Sequence, residues 1–139
     1  MIPRISQALA DLAAKLAGDI APETSSRFAF AGTSMIAMLL GALSRDAERA
    51  VANRMADVDA IKRLFEGLGA EADPQRAAAR EAFATRSPAS LALADVDTLH
   101  ADGMQLVIAL HAWAEEHDPA LDRALWQLLL DHTERNRLD

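Results

Sequence analysis

A chain of 139 residues with a net charge of −7, only two lysines and no cysteine is excluded from several functional classes at once. Disulfides, thiolate metal sites and cysteine nucleophiles need a residue it lacks, and the clustered cations that hold nucleic-acid phosphates or anionic membranes are missing. Its residues are 51% hydrophobic but only 4% aromatic, with no tyrosine, a mix that suits closely packed helices better than pleated sheets.

This length predicts one domain, residues 1–139, which buries roughly two-thirds of the surface of its unfolded chain. Asp11 and Lys15 interrupt any secretory apolar region, so a cytoplasmic location is expected. The first helix is predicted from Pro3 to Ala17, with Ile5, Leu9, Leu12 and Leu16 in one apolar stripe and Gly18 as its stop. Asp11 and Lys15 stand one turn apart on its flank.

Hydroxyl residues in Thr24-Ser25-Ser26 are placed to cap the next helix. From about Ser26 to Glu66, Ile36, Leu40, Leu43, Ala47, Val51, Met55, Val58, Ile61 and Phe65 recur in steps of three and four. That phase passes unchanged through Arg45-Asp46 and predicts one helix of about forty residues, bent near Gly41 or broken near Ser44.

Asp73-Pro74 opens a short arginine-rich helix reaching about Thr85, and residues 86–90 form a loop. Residues 91–97 read as either a helical turn or an extended connection. A helix is expected from about Thr98 to Glu116, with Leu99, Leu106, Leu110 and Trp113 facing inward. Gly103 within it costs about 1 kcal/mol against alanine and calls for a packing reason. Asp118-Pro119 opens the last helix, which carries Leu121, Leu125, Leu128, Leu129 and His132 on one side and an Asp131–Arg135 pair on another. The expected fold is all-α: an antiparallel bundle of about five helices with one long central helix.

Residues Phe28 to Ser44 contain no charge. The run is slightly short for a membrane span, so no membrane is expected and the segment reads as a core helix buried on nearly every side. A helix shared with a second subunit is the other reading. Phe28, Phe30, Gly32, Met35, Leu39 and Gly41 are its candidate contacts, because glycines let a neighbouring helix approach closely.

His111 and Glu115 lie one turn apart and form a weak candidate metal pair; Asp97 and His100 form a second such pair. A three-turn separation keeps His100 and His111 from sharing an ion, and no metal or other cofactor is expected. His132 reads as a hydrogen-bonded core histidine. Neither a nucleophile elbow nor a phosphate loop is present, so no catalytic residue is assigned. Arg76, Arg80 and Arg86 make a local cationic patch on an otherwise salt-laced surface.

The first 65 residues, with a proline-marked turn at Pro22 and Arg27-Phe28-Ala29-Phe30 opening a long helix that contains Arg45-Asp46, resemble a family of uncharacterised bacterial helical proteins. Genes of that family lie beside acyl-CoA dehydrogenases and aminoglycoside-phosphotransferase-like kinases. The family's aromatic–histidine start to the long helix is absent here, where Ala29 and Ala31 flank Phe30. The resemblance implies an accessory role near acyl-CoA metabolism and brings no functional residues with it.

The expected function is non-enzymatic: homo-oligomerisation, or service as an accessory to a partner enzyme. A ligand-binding bundle that holds an acyl group among Met35, Met38, Met55, Met104 and Trp113 is the alternative. A metal-dependent enzyme centred on His111 and Glu115 is the remote one.

Overall fold

Helix starts are where local sequence governs structure most directly. In the computed structural model, which describes residues 4–69 and 73–137, Asp73 Oδ1 accepts hydrogen bonds from the N–H groups of Gln75 and Arg76. Asp118 Oδ1 does the same for Ala120 and Leu121. Each aspartate satisfies two of the N–H groups that a helix start leaves open, and the proline beside it has none to satisfy. The helices they open are α3, Pro74–Ala84, and α5, Pro119–Arg135. Upstream lie α1, Ile5–Lys15, and α2, Arg27–Gly67, while α4, Leu93–His117, stands between α3 and α5. The fold is all-α, with no strand among the described residues.

Gly18 does not stop the first helix. α1 passes directly into a π-helical turn, Leu16–Ile20, and a 3-10 turn, Ala21–Glu23. A glycine stop works through a left-handed backbone, and no described glycine adopts one. The predicted start at Pro3 lies outside the described residues. Thr24 Oγ1 donates to the Ala21 carbonyl to close the 3-10 turn, and Ser26 Oγ accepts from the Ala29 N–H at 3.4 Å as α2 begins. α2 then runs for 41 residues without a break at Gly41 or Ser44. Lys15 pairs forward with Asp19 at 3.6 Å rather than with Asp11, which accepts from Gln7 instead.

α4 begins five residues before Thr98, which resolves the ambiguous stretch as helix from Leu93 onward. Ser90 Oγ accepts from the Ala92 N–H and donates to the Asp95 carboxylate. That turn leads directly to Val96, which is fully buried.

The chain divides into two compact units, one of residues 1–50 with 137–139 and one of residues 51–136. In the second unit Val58, Ile61 and Phe65 of α2 meet Phe83 of α3, Leu99, Val107, Leu110 and Ala114 of α4, and Leu121 and Leu125 of α5. Phe65 and Phe83 meet edge to face with ring centroids 6.0 Å apart. α4 and α5 form an antiparallel hairpin about Asp118. α4 runs beside α2 in the same sense, since Arg54 pairs with Asp97 and Asp57 with His100.

Gly103 sits where α4 crosses this core. A Cβ there would lie 2.6 Å from Phe83 Cζ and 3.1 Å from Ile61 Cδ1. Both rings and chains are enclosed, so neither neighbour has room to retreat. Gly103→Ala should therefore destabilise the protein by about 1–2 kcal/mol, because overpacking outweighs the gain in helix propensity. Urea unfolding followed by circular dichroism checks this; equal or greater stability would show that the core gives way freely.

Candidate functional site

The N-terminal unit is a helical hairpin with almost no large side chain inside. Ser44 Oγ donates to the Ser6 carbonyl at 2.7 Å and Ser6 Oγ donates to Glu48 at 2.8 Å, which sets the start of α1 beside the middle of α2. Leu9, Ala13 and Leu16 are half-buried, whereas Ile5 and Leu12 of the same stripe are exposed. The buried residues of this unit are Ala21, Ala37, Ser44 and Ala50, all small.

The expectation that Phe28 to Ser44 is covered on nearly every side is thus overturned. Phe28 is 90% exposed, Met38 72%, Met35 59% and Leu39 54%, and Ile36 and Leu43 are about half exposed. Apolar periodicity reported a helix correctly here but could not report what covers it. At 100° per residue, Phe28, Gly32, Met35 and Leu39 fall on one stripe of α2. Phe30 and Gly41 lie on the far side, about 200° around the helix from Phe28. A Cβ built on Gly32 meets no atom within 4 Å, so this glycine leaves a dent in the open stripe.

In the C-terminal unit, a buried polar cluster gathers on Asp57, a residue the sequence reading did not single out. Its side chain is 3% exposed and lies on the face of α2 that meets α4 and α5. His132 Nδ1 is 2.8 Å from Oδ2, Asn136 Nδ2 donates to Oδ2 at 3.0 Å, and Arg135 pairs with Oδ1. His100 Nε2 lies 3.2 Å from Oδ2, and the His100 and His132 rings stack with centroids 5.4 Å apart. Arg135 thus turns inward instead of pairing with Asp131, which accepts from Gln127. Asp97 and His100 do not act as a pair: each reaches its own partner on α2. His132 takes the hydrogen-bonded position expected of it.

His111 meets a second carboxylate that the sequence reading missed. Its Nε2 lies 2.9 Å from Asp122 Oδ1 on α5 and 4.0 Å from Glu115 Oε1 on its own helix. The Trp126 ring packs perpendicular to the imidazole, with ring centroids 5.1 Å apart.

Of the five residues proposed to line an acyl cavity, two belong to the N-terminal unit and three to the C-terminal one. Met35 and Met38 stand on the open face of the N-terminal unit, whereas Met104 and Trp113 pack against the core of the other. A surface pocket of about 210 Å³ in the C-terminal unit is lined by Asp73, Gln75, Arg76, Ala79, Arg80, Leu106, Ala109 and Leu110. It contains no methionine and is smaller than the roughly 300–1,000 Å³ usual for ligand sites. The arginine patch is committed internally: Arg76 covers the Trp113 ring at 4.9 Å, Arg80 donates to the Gly69 carbonyl, and Arg86 pairs with Asp102 at 2.7 Å.

Burial alone would raise the Asp57 pKa, but the close His100 imidazole together with His132 and Asn136 outweighs it and holds the carboxyl at about 2, below the ordinary 3.8. A pKa depressed by folding stabilises the native state fully above the unfolded value and loses that contribution as pH falls through the folded one. Between about pH 5 and 2 the protein should lose about 2 kcal/mol through this group. Urea titrations across that range, run beside Asp57→Asn, isolate the effect. An identical acid slope in the variant would refute it.

No protein-family model, curated protein or solved structure matches the chain.

Proposed function

We propose that the protein works by association, the N-terminal hairpin laying the outer stripe of α2 against the same stripe of a second copy. The observation that carries this reading is the open band formed by Phe28, Met35, Ile36, Met38, Leu39 and Leu43. From their fractional exposures these six side chains offer on the order of 800 Å² of apolar surface. That exceeds the largest patch of a typical monomer, about 300–600 Å², and matches the ~800 Å² that each partner contributes to a standard interface.

The spacing supports a helix of the same kind as occupant. Phe28, Gly32, Met35, Leu39, Ala42 and Asp46 follow alternating steps of four and three, the heptad seam of a coiled coil. A seam of that form reads the same in both directions, so two copies of α2 can pair antiparallel about Ala37 with two-fold symmetry. Met35 then faces Leu39 of the second copy, and Gly32 faces its Ala42, which lets the backbones come close. Arg27 at one end of the seam falls beside Asp46 at the other, giving two opposite-charge contacts across the pair.

α2 is long and apolar enough to cross a membrane. The neighbouring helix favours a protein on this face instead. α1 runs antiparallel from the Ser6–Ser44 contact, which places Asp11, Lys15 and Asp19 at the same depth as the charge-free run. Inserting the hairpin would drag those charges into hydrocarbon at several kcal/mol.

Sedimentation equilibrium should return twice the chain mass of 15.0 kDa. Leu39→Glu should reduce it to the chain mass without loss of helix content, since a charge in the seam must be desolvated by association but not by folding. Arg27→Glu and Asp46→Arg should each weaken the pair severalfold, and the double swap should restore it. A wild-type protein that stays single at the highest concentrations, or one that enters neutral liposomes, would overturn the proposal.

A further inference from the structure

We infer that His111, Glu115 and Asp122 form a binding site for a first-row divalent cation of the zinc class. The starting observation is a pair of polar atoms with nothing to do. His111 Nε2 and Asp122 Oδ1 are both shielded from solvent and lie 2.9 Å apart, yet they are misaligned and neither has a hydrogen-bond partner among the described residues. Unmet polar atoms inside a protein are costly, and a cation between them would satisfy both.

The spacing is right for this. Zinc takes imidazole nitrogen and carboxylate oxygen at about 2.0–2.2 Å in a tetrahedron, which sets two donors about 3.4 Å apart, so the 2.9 Å pair needs to open by only about half an ångström to admit the ion. Glu115 supplies the third donor. Its Oε1 is 4.0 Å from the imidazole and its side chain is 58% exposed, free to close the remaining distance by a rotamer change. The three donor atoms lie within 4.8 Å of one another. One neutral imidazole and two carboxylates balance a divalent charge, and the exposed side of the site leaves a coordination position for water.

The Asp57 cluster offers a comparable set of donors but is already committed. Arg135 pairs with one oxygen of its carboxylate and Asn136 donates to the other, which both imidazoles face, so an ion bound there would have to displace the Asn136 amide and sit on a carboxylate already neutralised by a guanidinium. Around His111 the packed aromatic neighbour is instead the uncharged Trp126 ring.

Zinc chloride titrated calorimetrically into chelator-stripped full-length protein should show one ion bound per chain. His111→Ala and Asp122→Asn should each weaken binding at least tenfold. Glu115→Gln should weaken it as well, and because that residue is exposed the variant will keep its fold. His117→Ala should leave binding unchanged. Cobalt added to labelled protein should broaden the Trp126 indole N–H resonance before other signals. No uptake of zinc, uptake that survives the His111 and Asp122 changes, or uptake abolished instead by His100→Ala or His132→Ala would overturn the inference.

Discussion

In the C-terminal unit one ionised carboxylate fixes how three helices fit together. The apolar faces of α2, α4 and α5 supply the burial that drives packing, but aliphatic stripes tolerate a slip of one turn at modest cost. Asp57 does not tolerate it. Out of water its charge is expensive unless the groups from α4 and α5 arrive together, and a slip would leave it bare. His100, His132, Arg135 and Asn136 therefore act as a register for the bundle, with the hydrophobic cluster beside them supplying most of the stability.

The N-terminal unit has no such device and little core of its own. Ala21, Ala37, Ser44 and Ala50 remove little apolar surface from water when buried, while ordering each residue of the hairpin costs roughly 1–2 kcal/mol in backbone entropy. The larger side chains that could offset that cost face outward. A second copy laid on α2 would bury them, so within the proposed reading folding of this hairpin and association share one set of contacts, and its stability would rise with protein concentration.

Much of the architecture was legible because it is written locally. Asp73-Pro74 and Asp118-Pro119 are helix starts by the chemistry of their own side chains, and the long apolar phase from Ile36 to Phe65 favoured one helix while leaving a bend near Gly41 or a break near Ser44 open. What covers a stripe is a different question: the same spacing serves Ile61 in the core and Leu39 in the open. The polar clusters were hidden for another reason, since Asp57 and His132 stand 75 residues apart and meet only once the bundle closes. Asp122 left a fainter trace. Across the α4–α5 hairpin, residues equidistant from a point near Glu116, just before the turn, face each other, and that rule pairs His111 with Asp122 and His100 with His132.

The distribution of chromophores carries a practical consequence. The chain has no tyrosine, and its two tryptophans, Trp113 and Trp126, both belong to the C-terminal unit. Trp113 stacks with the His117 ring and also meets the Arg76 guanidinium over its face, while Trp126 is about half exposed beside His111. Intrinsic fluorescence and absorbance at 280 nm are therefore silent about the hairpin, whose aromatic residues are Phe28 and Phe30. An emission-monitored melt would register the loss of one half of the molecule and give no sign of whether the other had already opened.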